Sequence, residues 1–96
     1  MHFVILCEDK DDSLALRQET HDIHLEHIKA YDAQVIAGGP TLTDDDEPTA
    51  NGTVIIVDMP DRAAVEKFVA DDPYSKAGLF KNVIIKPFSV SRMPGS

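Results

Sequence analysis

The chain has 96 residues, with 9 basic and 17 acidic side chains and a formal charge of −8 at neutral pH, which is the size of one small domain. The acidic balance argues against a nucleic-acid partner, because phosphate backbones are bound by clustered Lys and Arg. Apolar runs are only a handful of residues long against the roughly 20 that cross a bilayer, so neither a membrane segment nor a secretory leader is expected and the cytoplasm is the expected compartment.

Phe3 to Cys7 is a β-rich apolar run, and the spacing predicts a first strand there, followed by the polar stretch Glu8 to Ser13. Cys7 is the chain's single cysteine. It can form no internal disulfide or CxxC metal site and is read as a small buried apolar residue at a strand end. From about Ser13 the period becomes helical, with Leu14, Leu16, Ile23, Leu25, Ile28 and Tyr31. The segment reads either as one helix to about Ala33 or as a short turn followed by a helix from Thr20. Gln34 to Ala37 is a short second strand expected to stop at Gly38-Gly39-Pro40. Thr41 to Gly52, with Asp44-Asp45-Asp46-Glu47, reads as a long acidic loop facing water.

Thr53 to Asp58 is the strongest strand, wholly apolar and β-branched at Val54-Ile55-Ile56-Val57. Asp61 caps a second helix carrying Val65 and Phe68, Asp72-Pro73 starts a new short turn that Gly78 can close, and Lys81 to Val90 returns as a last strand. Pro87 places that strand at an edge or at an outward-facing N–H position. The order strand, helix, strand, strand, helix, strand is the α+β, ferredoxin-like βαββαβ pattern, an antiparallel four-stranded sheet with two main helices on one face. Residues 1–90 form one domain in this reading, and 91–96 a flexible tail. Because the strands are apolar at consecutive positions, the face without helices also needs cover, and a second copy of the sheet supplies it most simply, as a homodimer.

The histidines His21, His24 and His27 invite a metal reading, yet on a helix each step of three rises about 4.5 Å, so the outer two stand roughly 9 Å apart and cannot share an ion. Two of them plus a carboxylate could; otherwise two lie on the surface and one points inward. No metal or other cofactor is expected. His24 is best placed to face the sheet, ahead of Ile28 and Tyr31 on one side of the helix, either as a satisfied core histidine or as a base in a pocket. Asp72 is either the N-cap of the turn after Pro73 or a carboxylate that holds an imidazole tautomer.

The opening Met1-His2-Phe3-Val4-Ile5-Leu6-Cys7-Glu8-Asp9-Lys10-Asp11-Asp12-Ser13, the His24-Leu25 pair, Ala37-Gly38-Gly39-Pro40, Asp71-Asp72-Pro73-Tyr74 with Ala77-Gly78, and Val83 to Phe88 ending in Lys86-Pro87-Phe88 together resemble the YciI-like proteins. The resemblance implies a dimeric α+β barrel of the muconolactone isomerase superfamily and a His–Asp acid–base pair in a cleft, matching His24 and Asp72. It also includes an enzyme that removes chloride from a hydroxyquinone with such a pair. The leading reading is a cofactor-independent lyase or isomerase acting on a small cyclic or aromatic compound. His24 moves the proton and Asp72 orients it, on the barrel-facing side of the sheet. Arg17 is either a partner for a substrate carboxylate or enolate or a solvated side chain, and Tyr74 closes the cleft or packs. The rival reading is a non-catalytic small-ligand-binding or accessory homodimer, with higher assembly left open.

Overall fold

The computed structural model describes residues 1–95. Strand β1 (His2–Asp9) is followed by helix α1 (Leu14–Ala30), strands β2 (Val35–Leu42) and β3 (Ala50–Asp58), helix α2 (Arg62–Asp71), the single turn α3 (Pro73–Lys76) and strand β4 (Phe80–Phe88). The strands lie in the order β2-β3-β1-β4, all antiparallel, with Phe3 opposite Val57 and Pro87, and Ile5 opposite Ile55 and Ile85. This is the expected ferredoxin-like sheet with two main helices on one face. It is open: β2 and β4 are separated by two intervening strands and do not pair, so the expected dimeric α+β barrel is corrected to an open four-stranded sheet. Both outer strands carry a proline, Pro40 and Pro87, whose missing N–H suits an edge.

Alternation sorts the side chains. Phe3, Ile5, Cys7, Ile55 and Val57 point to the helices and are buried with Val65 and Phe68 of α2, while Ile28 and Tyr31 of α1 pack against them. Each large side chain buried in this layer contributes about 1.5–3 kcal/mol. The opposite face presents Val4, Leu6, Val54, Ile56 and Ile84, of which Leu6 and Ile84 are exposed. Among the described residues no helix is long and apolar enough to cross a membrane.

Helix α1 runs unbroken from Leu14 to Ala30, the one-helix alternative of the sequence reading, while several strand and loop boundaries differ from it. Strand β2 continues through Gly38-Gly39-Pro40 to Leu42, because an edge strand can turn a proline nitrogen away from its single neighbour. The acidic loop is accordingly short, confined to residues 43–49 between β2 and β3. Asp61 does cap α2, its Oδ1 accepting from the Ala64 N–H at 2.9 Å. The expected tail, 91–96, ends at Ser96, which lies outside the described residues.

Candidate active site

Helix α2 ends at Asp71, and Pro73 forces the chain into a new turn, which leaves Asp72 in extended backbone between the two. Its Oδ1 accepts from the Tyr74 N–H at 2.9 Å, so Asp72 is the N-cap of α3. The same carboxylate meets His24 of α1, whose Nδ1 lies 2.9 Å from Oδ1 and 3.0 Å from Oδ2. The two readings of Asp72 hold together. Both side chains are buried, and a carboxylate accepts, so in the neutral ring Nδ1 carries the proton and Nε2 the lone pair. Nε2 has no hydrogen-bond partner among the described residues, and His24 lines a cavity of about 610 Å³. Such a buried pair has the arrangement needed to take up and return a proton.

The cavity lies between α1 and the helix-covered side of the sheet, with Thr53 and Ile55 of β3 in its floor and Gly38 to Pro40 of β2 beside them. The expected position on the barrel-facing side is therefore corrected: the open face of the sheet is the other one. Asp72 does not line the cavity and stands behind His24. The fully buried Tyr74 ring stacks on the His24 imidazole, centroids 3.9 Å apart and planes 13° from parallel. It fixes the imidazole plane. Burial raises the Tyr74 hydroxyl above the usual phenol value, with the Asp72 and Asp9 charges adding to it and Arg17 opposing.

Arg17 is buried and not solvated. Its Nε and Nη2 donate to the two oxygens of Asp9 at 2.7 and 3.0 Å, and Nη2 also reaches the Gly52 carbonyl at 2.7 Å and Thr53 Oγ1 at 2.8 Å. Its Cζ lies 4.7 Å from the Tyr74 ring centroid, so the aromatic ring has the imidazole and the guanidinium as neighbours. Burial works against the guanidinium charge, and the Asp9 contacts outweigh it and raise the pKa. The guanidinium also neighbours the Tyr74 hydroxyl as a hydrogen-bond donor, and Arg17 lines the cavity. Gly52 must be glycine here, since a Cβ would strike the Cys7 carbonyl and Thr41 Oγ1.

Asp9 has no site role in the sequence reading, which ended β1 at Cys7. The signal was present: Phe3, Ile5, Cys7 and Asp9 keep the strand's period of two, so Asp9 faces the helices with them. Of the three α1 histidines only His24 is buried, as the surface reading of the other two expects, but all three make polar contacts. His27 Nε2 donates to the Phe68 carbonyl at 2.9 Å, and His21 Nδ1 lies 3.2 Å from the Tyr74 hydroxyl. All three thus engage the α2–α3 segment. Among the described residues no group of three or more His, Cys, Asp or Glu is placed to hold a metal ion. Cys7 is buried, and desolvation, aided by Asp72 and Asp9, pushes its thiol up to about 12. It is no nucleophile at neutral pH.

The YCII-related domain matches residues 1–89 of this chain. The chain belongs to that family. It is 31% identical over 94 residues to an uncharacterised protein of Haemophilus influenzae, covering 92% of this chain and 96% of the relative. It is 30% identical over the same length to the YciI protein of Escherichia coli, with the same coverage. Among solved structures it is similar to 5-chloro-2-hydroxyhydroquinone dehydrochlorinase from Burkholderia phenoliruptrix in complex with 2,5-dihydroxybenzoquinone. That match has a TM-score of 0.89 and 30% identity, over 93% of this chain and 94% of the other. The YCII-related fold thus carries, in this member, a buried imidazole–carboxylate pair opening on one cavity.

Proposed function

We propose that this YCII-related protein is a cofactor-independent acid–base enzyme of the lyase or isomerase type, acting on a small cyclic or aromatic compound. The observation that carries the reading is the tautomer that Asp72 imposes on His24. Nε2 is left as an acceptor, and the His24 ring lines a mostly apolar cavity of about 610 Å³, ample for a ring compound. In this role Nε2 takes a proton from a ring hydroxyl or carbon and returns it at a neighbouring atom, while Asp72 stabilises the imidazolium in between. The Arg17 guanidinium, which lines the cavity, meets a ring oxygen or carboxylate, and Tyr74 forms the rigid backing of His24. One domain, residues 1–90, carries the site. Two copies associate through the open sheet face, whose Leu6 and Ile84 are otherwise left in water.

A hydroxylated, halogenated ring is the first substrate class to try, since the similar solved enzyme is a dehydrochlorinase of a chlorinated hydroxyhydroquinone. Chloride release from 5-chloro-2-hydroxyhydroquinone is the assay. Turnover that falls at least about a hundredfold in His24→Asn supports the reading. Saturable binding of 2,5-dihydroxybenzoquinone without turnover of any hydroxylated ring favours the non-catalytic binding reading instead.

A further inference from the structure

Two imidazoles line the cavity, one turn apart on α1, and the function proposed above uses only one of them. His24 presents a lone pair because its Nδ1–H is held by Asp72. His21 is in the opposite situation. Its Nδ1 lies 3.2 Å from the Tyr74 hydroxyl, and Tyr74 is fully buried. The other hydrogen-bonding neighbour of that hydroxyl, the Arg17 guanidinium, can only donate to it, so among the described residues His21 is the acceptor its proton can reach. A buried O–H left undonated costs about 1–3 kcal/mol, so the phenol donates to Nδ1. Nδ1 then acts as acceptor, and the ring proton of neutral His21 resides on Nε2.

We infer that His21 is a second functional residue of the cavity, an Nε2–H hydrogen-bond donor that stabilises negative charge on a substrate ring oxygen while His24 Nε2 removes the proton. The two histidines are thus set in opposite tautomers by two different partners, one a carboxylate and one a phenol. His21 keeps its proton throughout and donates a hydrogen bond only, since a neutral imidazole is far too weak an acid to transfer it. The ligand this selects is a ring bearing an oxygen that gains charge as a proton leaves, a phenol or a cyclic ketone that enolises. The inference rests on the proposed acid–base function for its catalytic consequence, but the tautomers themselves are properties of the ligand-free protein.

Nitrogen-15 correlation spectra of the imidazoles, recorded near pH 8 where histidines are ordinarily neutral, test the tautomers directly. The expected spectrum has His24 as Nδ1–H and His21 as Nε2–H, with Tyr74→Phe releasing His21 to a mixture. A wild-type His21 that is Nδ1–H or already mixed overturns the inference without touching the role of His24. With 5-chloro-2-hydroxyhydroquinone as probe, His21→Phe should lower kcat by about tenfold or more with little change in KM, and His21→Gln, which keeps an N–H donor, should recover most of it. If His21→Phe turns over normally while His24→Asn is inactive, the donor role fails and the proposed function stands. If neither variant changes turnover, both fail.

Discussion

A carboxylate offers about four acceptor positions, and Asp72 uses its own in two directions, towards the Tyr74 N–H and towards His24 Nδ1. The two duties can be separated. Asp72→Asn keeps an oxygen for the cap but turns an amide N–H2 on the imidazole, which drives His24 to the Nε2–H tautomer. Turnover should fall by at least about tenfold, less than in His24→Asn, while the thermal midpoint moves little. Asp72→Ala should lose the cap as well and unfold about 1 kcal/mol more easily in urea. Cys7 makes the opposite kind of statement. Its folded pKa, about 12, lies above the ordinary 9.0, so its contribution to stability is complete below about pH 9 and is lost as the pH rises towards 12. The urea midpoint of the native protein should therefore fall more steeply between pH 9 and 11 than that of Cys7→Ala, and iodoacetamide should leave the folded thiol unmodified at pH 7. His24 and Asp72 were each legible as two-sided residues, one from its helical spacing and one from the proline behind it. Their pairing across 48 positions was reached only through the family resemblance, because nothing local in the sequence fixes which α1 residue meets the α2–α3 junction.

Helix α1 and strand β1 are the elements whose sequence pattern is least conventional. The inward stripe of α1 is Arg17, Thr20, His24 and the half-buried Ile28, positions 3, 4 and 4 apart, where a packing helix would place apolar residues. Apolar periodicity finds the helix but not the purpose of that stripe. Reading β1 to Asp9 would have supplied the missing counter-charge, which turns a seemingly solvated arginine into a buried, bidentate one. Removing either partner should be costly. Arg17→Met leaves the Asp9 carboxylate buried and unpaired and should destabilise the fold by roughly 3–5 kcal/mol in urea titration, whereas Arg17→Met with Asp9→Leu should recover much of the loss. Additive losses in the double variant would show that the pair is not coupled. The edge strand β2 was cut short in the sequence reading for a related reason. Gly-Gly-Pro is a stop signal in a central strand and is permitted on an edge, and sequence alone does not say which strands lie outside.

For the whole molecule, the consecutive apolar positions of β1, β3 and β4 were the most informative feature of the sequence, and the structure gives them two faces with unequal cover. The helices protect Phe3, Ile5, Ile55 and Val57, and Leu6 and Ile84 remain exposed on the other side. A homodimer should therefore be the smallest stable species, seen in light scattering as about twice the 10.6 kDa chain. Leu6→Glu should yield monomers with the sheet retained in circular dichroism, and a wild-type monomer at micromolar concentration would remove the argument. The cavity has a different asymmetry. Its proton-handling side is anchored in the interior through Asp9, Asp72 and Tyr74, each tied to several segments. The apolar wall of Leu14, Leu25 and Pro48 is exposed. Changes in that wall alter the shape of what is admitted at small cost to folding, and they leave the chemistry where it is. Descendants of one such chain can thus diverge in diet while inheriting the same reaction apparatus.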